Sequence, residues 1–204
     1  MTISVQTPTL APVLADETTP TPKKAGFVKP LVLGLLVLAA VFLVNYVLAW
    51  YNANQLGTRF FQDSEASFNT GDYLKSLVGY QTFDNASNKY VNYGGYLSVE
   101  KIWSSAYSWP QPAYTQQAIQ RSQEVINQKL TVQQAEQYII DNTGRPGTPY
   151  FAEIYLRLGE LYEQAGNSKD AIDIYQSYAA QFPGRADLIA IAQQHLTKLN
   201  STNK

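Results

Sequence analysis

From Leu31 to Trp50 the chain reads LVLGLLVLAAVFLVNYVLAW, and no charged residue stands between Lys29 and Arg59. Twenty helical residues reach about 30 Å, one hydrocarbon thickness. Pro30 precedes the run, where its missing N–H costs nothing. Tyr46, Trp50 and Tyr51 gather at its C-terminal end, where amphipathic rings favour the headgroup region. The run is longer than the ~7–15 apolar residues of a signal peptide and follows an extended leader region. The expectation is therefore an uncleaved transmembrane helix at 29–51, rather than a leader cut after Val47-Leu48-Ala49. Lys23, Lys24 and Lys29 precede the helix, and only Arg59 follows closely. The positive-inside rule then predicts a cytoplasmic N-terminus and an extracytoplasmic C-terminal domain, a single-pass topology in a bacterial inner membrane with the domain in the periplasm.

Beyond residue 52 the pattern changes to polar stretches with apolar residues at helical spacing. Tyr96, Val99, Ile102, Trp103, Ala106 and Tyr107 share one face, and Ala118, Ser122, Val125 and Ile126 another. Thr131 with Gln134 forms a capping box opening a helix over 132–142, closed by Gly144 and Pro146. No alternating strand pattern is read. The predicted fold is all-α: one transmembrane helix, then about seven helices over 52–204. Residues 1–28, where Thr alternates with Pro8, Pro12, Pro20 and Pro22, read as a disordered cytoplasmic tail.

Residues 152–183 read AEIYLRLGELYEQAGNSKDAIDIYQSYAAQFP. This stretch resembles a tetratricopeptide repeat (TPR), a helix–turn–helix unit of 34 residues. The match covers Tyr155, Leu158, Gly159, Tyr162, Gly166, Ala171, Tyr175 and Pro183; Tyr178 departs from it. The resemblance implies that Gly159 lets the two helices approach, with Ala171 facing it, and that Leu158, Tyr162 and Tyr175 fill the space between them. Gly166 makes the turn and Pro183 ends the second helix. Residues 186–199, with Ile189, Ala192, Leu196 and Leu199 on one face, read as a capping helix. A degenerate copy, Phe60–Phe83, aligns Gly71 with Gly166, Phe60 with Tyr155, Ser64 with Gly159, Ser76 with Ala171 and Tyr80 with Tyr175. Asp63 and Ser67 break it. The resemblance thus implies a TPR-like α-solenoid.

Composition narrows the chemistry. Cysteine is absent, which excludes disulfides, thiolate metal sites and iron–sulfur ligation, and the single His195 excludes a multi-histidine metal site. A net charge of −1 offers no polycationic face for nucleic acid. No phosphate-binding or dinucleotide motif occurs. No catalytic residue, metal or cofactor is expected, and His195 reads as a structural histidine.

Three sets of residues remain as interaction candidates. Asn45, Ala49 and Ala53 share a helix face. That stripe is either solvated near the interface or docks on another membrane helix. Tyr93, Tyr96, Trp103, Tyr107 and Trp109 sit in a short aromatic stretch, which is either core or a partner interface. Glu153 and Glu160 lie on the first repeat helix, as a solvated face or as a groove lining. TPR clamps for C-terminal carboxylates carry Lys and Asn there, so Leu156 and Glu160 favour a neutral or basic segment.

Two functional readings follow. One is a non-catalytic accessory subunit of a multi-subunit membrane complex, with a respiratory or photosynthetic electron-transfer assembly as a typical host. The other is a translocon-associated chaperone that handles client proteins. A short tail, one helix and a periplasmic TPR domain are similar in architecture to the YfgM family.

Overall fold

The structure, a computed structural model, describes residues 28–105 and 108–202. The tail reading for 1–27 falls outside the described residues, as do Ala106 and Tyr107. The chain divides into two compact units, Met1–Asn45 and Tyr46–Lys204. One helix, α1 (Val28–Asn69), contributes to both. It runs on past residue 51, where the membrane-spanning part is expected to end. Nothing there stops a helix, and the next residues carry their own core-facing period in Ala53, Gly57, Phe60, Phe61, Ser64 and Phe68. The helix ends where Gly71 takes φ +82°, a conformation glycine adopts without a Cβ penalty. Asp72 N–H then closes back on the Ser67 carbonyl at 2.9 Å.

In the first unit, the described part of α1 exposes its large side chains from Leu31 to Val44. The helix is long and apolar enough to cross a membrane, with a mean hydropathy of 2.7 over its most apolar window.

The second unit continues with α2 (Tyr73–Val78), β1 (Tyr80–Asp84), β2 (Lys89–Tyr93), α3 (Tyr96–Trp103) and α4 (Ala113–Glu124), which runs into a π-helical turn at Val125–Lys129. α5 (Val132–Asn142), α6 (Phe151–Gln164), α7 (Ser168–Gln181) and α8 (Ala186–Thr202) follow. Seven helices therefore succeed α1 among the described residues, but the domain is not all-α. β1 and β2 pair antiparallel from Tyr80↔Tyr93 to Asp84↔Lys89. The hairpin also corrects the degenerate repeat copy, since Tyr80 begins a strand and α2 spans only six residues. The local reason lies in the turn. The Asp84 carboxylate accepts Ala86 N–H at 3.0 Å and the Ser87 hydroxyl at 2.7 Å, while Asn88 takes φ +53°.

Two hydrophobic clusters hold the unit together. Leu77, Tyr96, Val99, Trp103, Ala118, Val125 and Tyr138 belong to the first, which α6 joins through Ile154, Leu158 and Leu161. The second lies among α6, α7 and α8: Ala152, Leu156, Ala171, Tyr175, Tyr178, Ala192 and Leu199. The capping box opens α5 as expected, with Thr131 and Gln134 each accepting the other's backbone N–H.

Candidate interaction surfaces

α6 and α7 form a helical hairpin, and they pack tightly at Gly159. A Cβ there would lie 2.6 Å from Tyr175 Cε1 and 3.0 Å from Ile174 Cγ2. The residues facing Gly159 are thus Tyr175 and Ile174 rather than Ala171, which is buried in the second cluster. Leu158 turns to the first cluster, and Tyr162 packs against both. Tyr155 packs on Tyr178 and Phe182, and its hydroxyl pairs with Ser177 at 2.9 Å. Gly166 takes φ +76°, and α7 ends at Gln181, two residues before Pro183. Tyr178, the departure from the repeat pattern, is fully buried and donates its hydroxyl to the Ala152 carbonyl at 2.9 Å.

The carboxylates of α6 are engaged within the chain. Glu153 meets Arg185 at 2.7 Å and Glu160 meets Arg157 at 2.8 Å. Glu163 meets His195 Nδ1 at 2.6 Å and Lys198 at 2.9 Å, while the imidazole stacks on Tyr175. Burial raises the Glu163 carboxyl, but the hydrogen bonds from Lys198 and His195 and their nearby charge outweigh it and hold it below the usual range. An open cleft of about 590 Å³ lies between α6 and the 145–150 segment. On its wall Glu100 accepts from the Tyr150 hydroxyl at 3.0 Å and from Ser122 at 2.5 Å. Burial pushes the Tyr150 phenol up first, and Glu100 adds to the shift. Among the described residues no three His, Asp or Glu side chains gather as a metal site would require.

The aromatic stretch separates into two populations. Tyr96 is fully buried, with its hydroxyl on Glu65 at 2.6 Å, and Trp103 is 2% exposed, its indole N–H on Tyr114 at 3.2 Å. Both take the core alternative, because α3 lays them two turns apart on the face shared with Val99. Trp109 lies beyond that helix and is 75% exposed. Tyr93 stacks on Tyr80 at 4.7 Å across the hairpin, and Phe83 meets Tyr90 edge-on on the opposite face. Phe83 and Tyr90 both project outward, as does Tyr80. Sequence reasoning missed this aromatic hairpin; the Asp-Asn-Ala-Ser-Asn turn between two aromatic runs was its signal.

Asn45 and Ala49 are exposed, and the Asn45 amide donates to the Val41 carbonyl one turn back at 2.8 Å. Ala53 is half-buried against the first cluster, so the domain's own core uses the third position of the stripe.

No family model, curated protein or solved structure matches the chain.

Proposed function

We propose that the protein is a non-catalytic, single-pass membrane scaffold, an accessory subunit of a multi-subunit membrane complex. Its N-terminus lies in the cytoplasm and its helical domain outside. The observation that carries the reading is where the large apolar residues are left uncovered. They run from Leu31 to Leu48 on α1 and reappear as a cluster, Tyr80, Phe83 and Tyr90, on the hairpin, with Trp109 and Ile140 exposed elsewhere on the domain. The first set suits a bilayer and the second a protein partner. The carboxylates of α6, Glu153, Glu160 and Glu163, are held in ion pairs within the chain. The α6–α7 hairpin and α8 support a TPR-like unit: a glycine at the helix crossing, a left-handed glycine at the turn and a third helix covering the end. A helix and a domain bound to one complex need only weak contacts each, since tethering raises the effective concentration of the second.

Affinity purification of the full chain in mild detergent tests this. A partner retained in fixed stoichiometry supports the subunit role, and Tyr90→Ser with Phe83→Ser in the hairpin should release it. A spread of substoichiometric secreted clients would overturn it in favour of the YfgM-like chaperone. Protease added to spheroplasts should remove the domain and leave a short fragment of tail and helix.

A further inference from the structure

The segment carrying Trp109 is tied down by its main chain while its side chain projects. The Tyr46 hydroxyl donates to the Trp109 carbonyl, and the Trp50 indole N–H donates to the Pro110 carbonyl at 2.9 Å. Gln111 anchors the same segment through its amide to the Trp103 carbonyl at 2.8 Å. Tyr46 and Trp50 are the residues at which the apolar run of α1 ends. The loop is therefore fixed at the level of the helix where hydrocarbon-facing residues give way to water-facing ones. Val47, Leu48 and Tyr51 beside it are more than half exposed. No charged residue occurs between Lys101 and Arg121, or between Lys29 and Arg59, so both strands of chain meeting here are uncharged. Pro110 and Pro112 remove two backbone N–H donors that a non-aqueous surrounding would leave unsatisfied.

We propose that the Trp109 loop is a second membrane contact, with the indole of Trp109 seated in the headgroup layer of the same bilayer that α1 crosses. This rests on the reading of α1 as a membrane anchor. An indole combines a large apolar body with one N–H donor, the chemistry that favours the boundary between acyl chains and headgroups. The stretch presents no charge to desolvate on approaching lipid, and the three hydrogen bonds hold the loop in place before contact. The lipid partner needs no particular headgroup, because no basic side chain accompanies the ring.

The test uses the full chain reconstituted in phosphatidylcholine vesicles and compares tryptophan emission of the wild type with that of Trp109→Phe. Circular dichroism should show equal folding, since the ring is exposed and the loop is held by its carbonyls. The difference spectrum isolates Trp109. Lipids brominated near the headgroup should quench it roughly twofold more than lipids brominated near the bilayer centre, as expected for an indole at headgroup level. Aqueous iodide should leave it nearly unquenched. Quenching by iodide without quenching by bromolipid would overturn the proposal, and so would shielding from both, which would mark a protein covering the ring. An alkaline carbonate wash separates the two readings. Release of the chain from membranes defeats the anchor itself, whereas a retained chain with Trp109 in water defeats the loop contact alone.

Discussion

The ring of Tyr175 occupies the space that any side chain on Gly159 would need, with Cε1 only 2.6 Å from the position of a Cβ. Two helices can pass this closely only because one of them carries no side chain at the crossing. The Tyr175 ring is also stacked on the imidazole of His195, so moving it would disturb that contact. Gly159→Leu should therefore lower stability by about 2 kcal/mol, overpacking outweighing the better helix propensity of leucine. Urea unfolding of the detergent-solubilised chain measures it. An unchanged midpoint would mean that α6 and α7 do not cross here.

Tyr178→Phe removes a buried hydroxyl from the Ala152 carbonyl and nothing else. The loss should be about 1 kcal/mol, the usual net contribution of such a bond. A stability equal to that of the wild type would show that the carbonyl is satisfied without it.

Glu163 gives an acid dependence with a definite sign. Its folded-state carboxyl is held below the ordinary value of 4.5 despite its burial, so the ionised form stabilises the fold. That contribution is complete above the unfolded value and is lost as pH falls through the folded one. Glu163→Gln should be less stable than wild type at neutral pH. The gap should close as pH drops below about 4.5, the range where the unfolded carboxyl takes up its proton. Unfolding curves at neutral and acid pH decide it, and a gap that stays constant with pH would refute it.

The alkaline limb follows from the tyrosines. Burial pushes the Tyr138 phenol up to about 12, and burial followed by the bond to Glu136 does the same for Tyr162. Tyr96, Tyr175 and Tyr178 are raised further, burial again being the main cause. Folding favours the neutral phenols, so stability is fully present below the unfolded value of about 10 and falls as pH rises through the folded values. Phenolate absorbance and circular dichroism followed together should show these rings ionising in one step with unfolding. Ionisation near pH 10 with the helices intact would contradict their burial.

The particular residues show why some of the architecture can be read from the chain and some cannot. The apolar run, the capping box at Thr131 and the turn at Gly166 each rest on local chemistry, and the structure has them where that chemistry puts them. Ser64 and Ser76 stand at the small-residue positions that align with Gly159 and Ala171. They are fully buried, and each hydroxyl donates to a carbonyl of its own helix at 2.7 Å, an option composition does not reveal. Gly71 imitates Gly166 so closely that the repeat alignment carries a helix through Tyr80 and hides the hairpin. Asp63, which breaks the repeat pattern, accepts Gly94 N–H at 3.2 Å at the hairpin's base. Trp103 and Trp109 differ only in what surrounds them: one keeps helical spacing with Tyr96, and the other stands beside two prolines outside any helix.

At that base the backbones of Gly79 and Gly95 come so close that a Cβ on Gly79 would meet the Gly95 nitrogen at 2.8 Å. A Cβ on Gly94 would overlap the Phe60 ring. The polypeptide thus leaves the helical layer and returns to it at one point. Residues 80–94 form a detour whose length does not set the spacing of α2 and α3. Such a junction should serve as a grafting point: replacing the strands by a short turn should leave the helices in place, with the bond from Arg59 to the Asn92 carbonyl at 2.8 Å as the contact given up. Under the proposed function, the partner surface is thus carried on a segment that neither hydrophobic cluster includes.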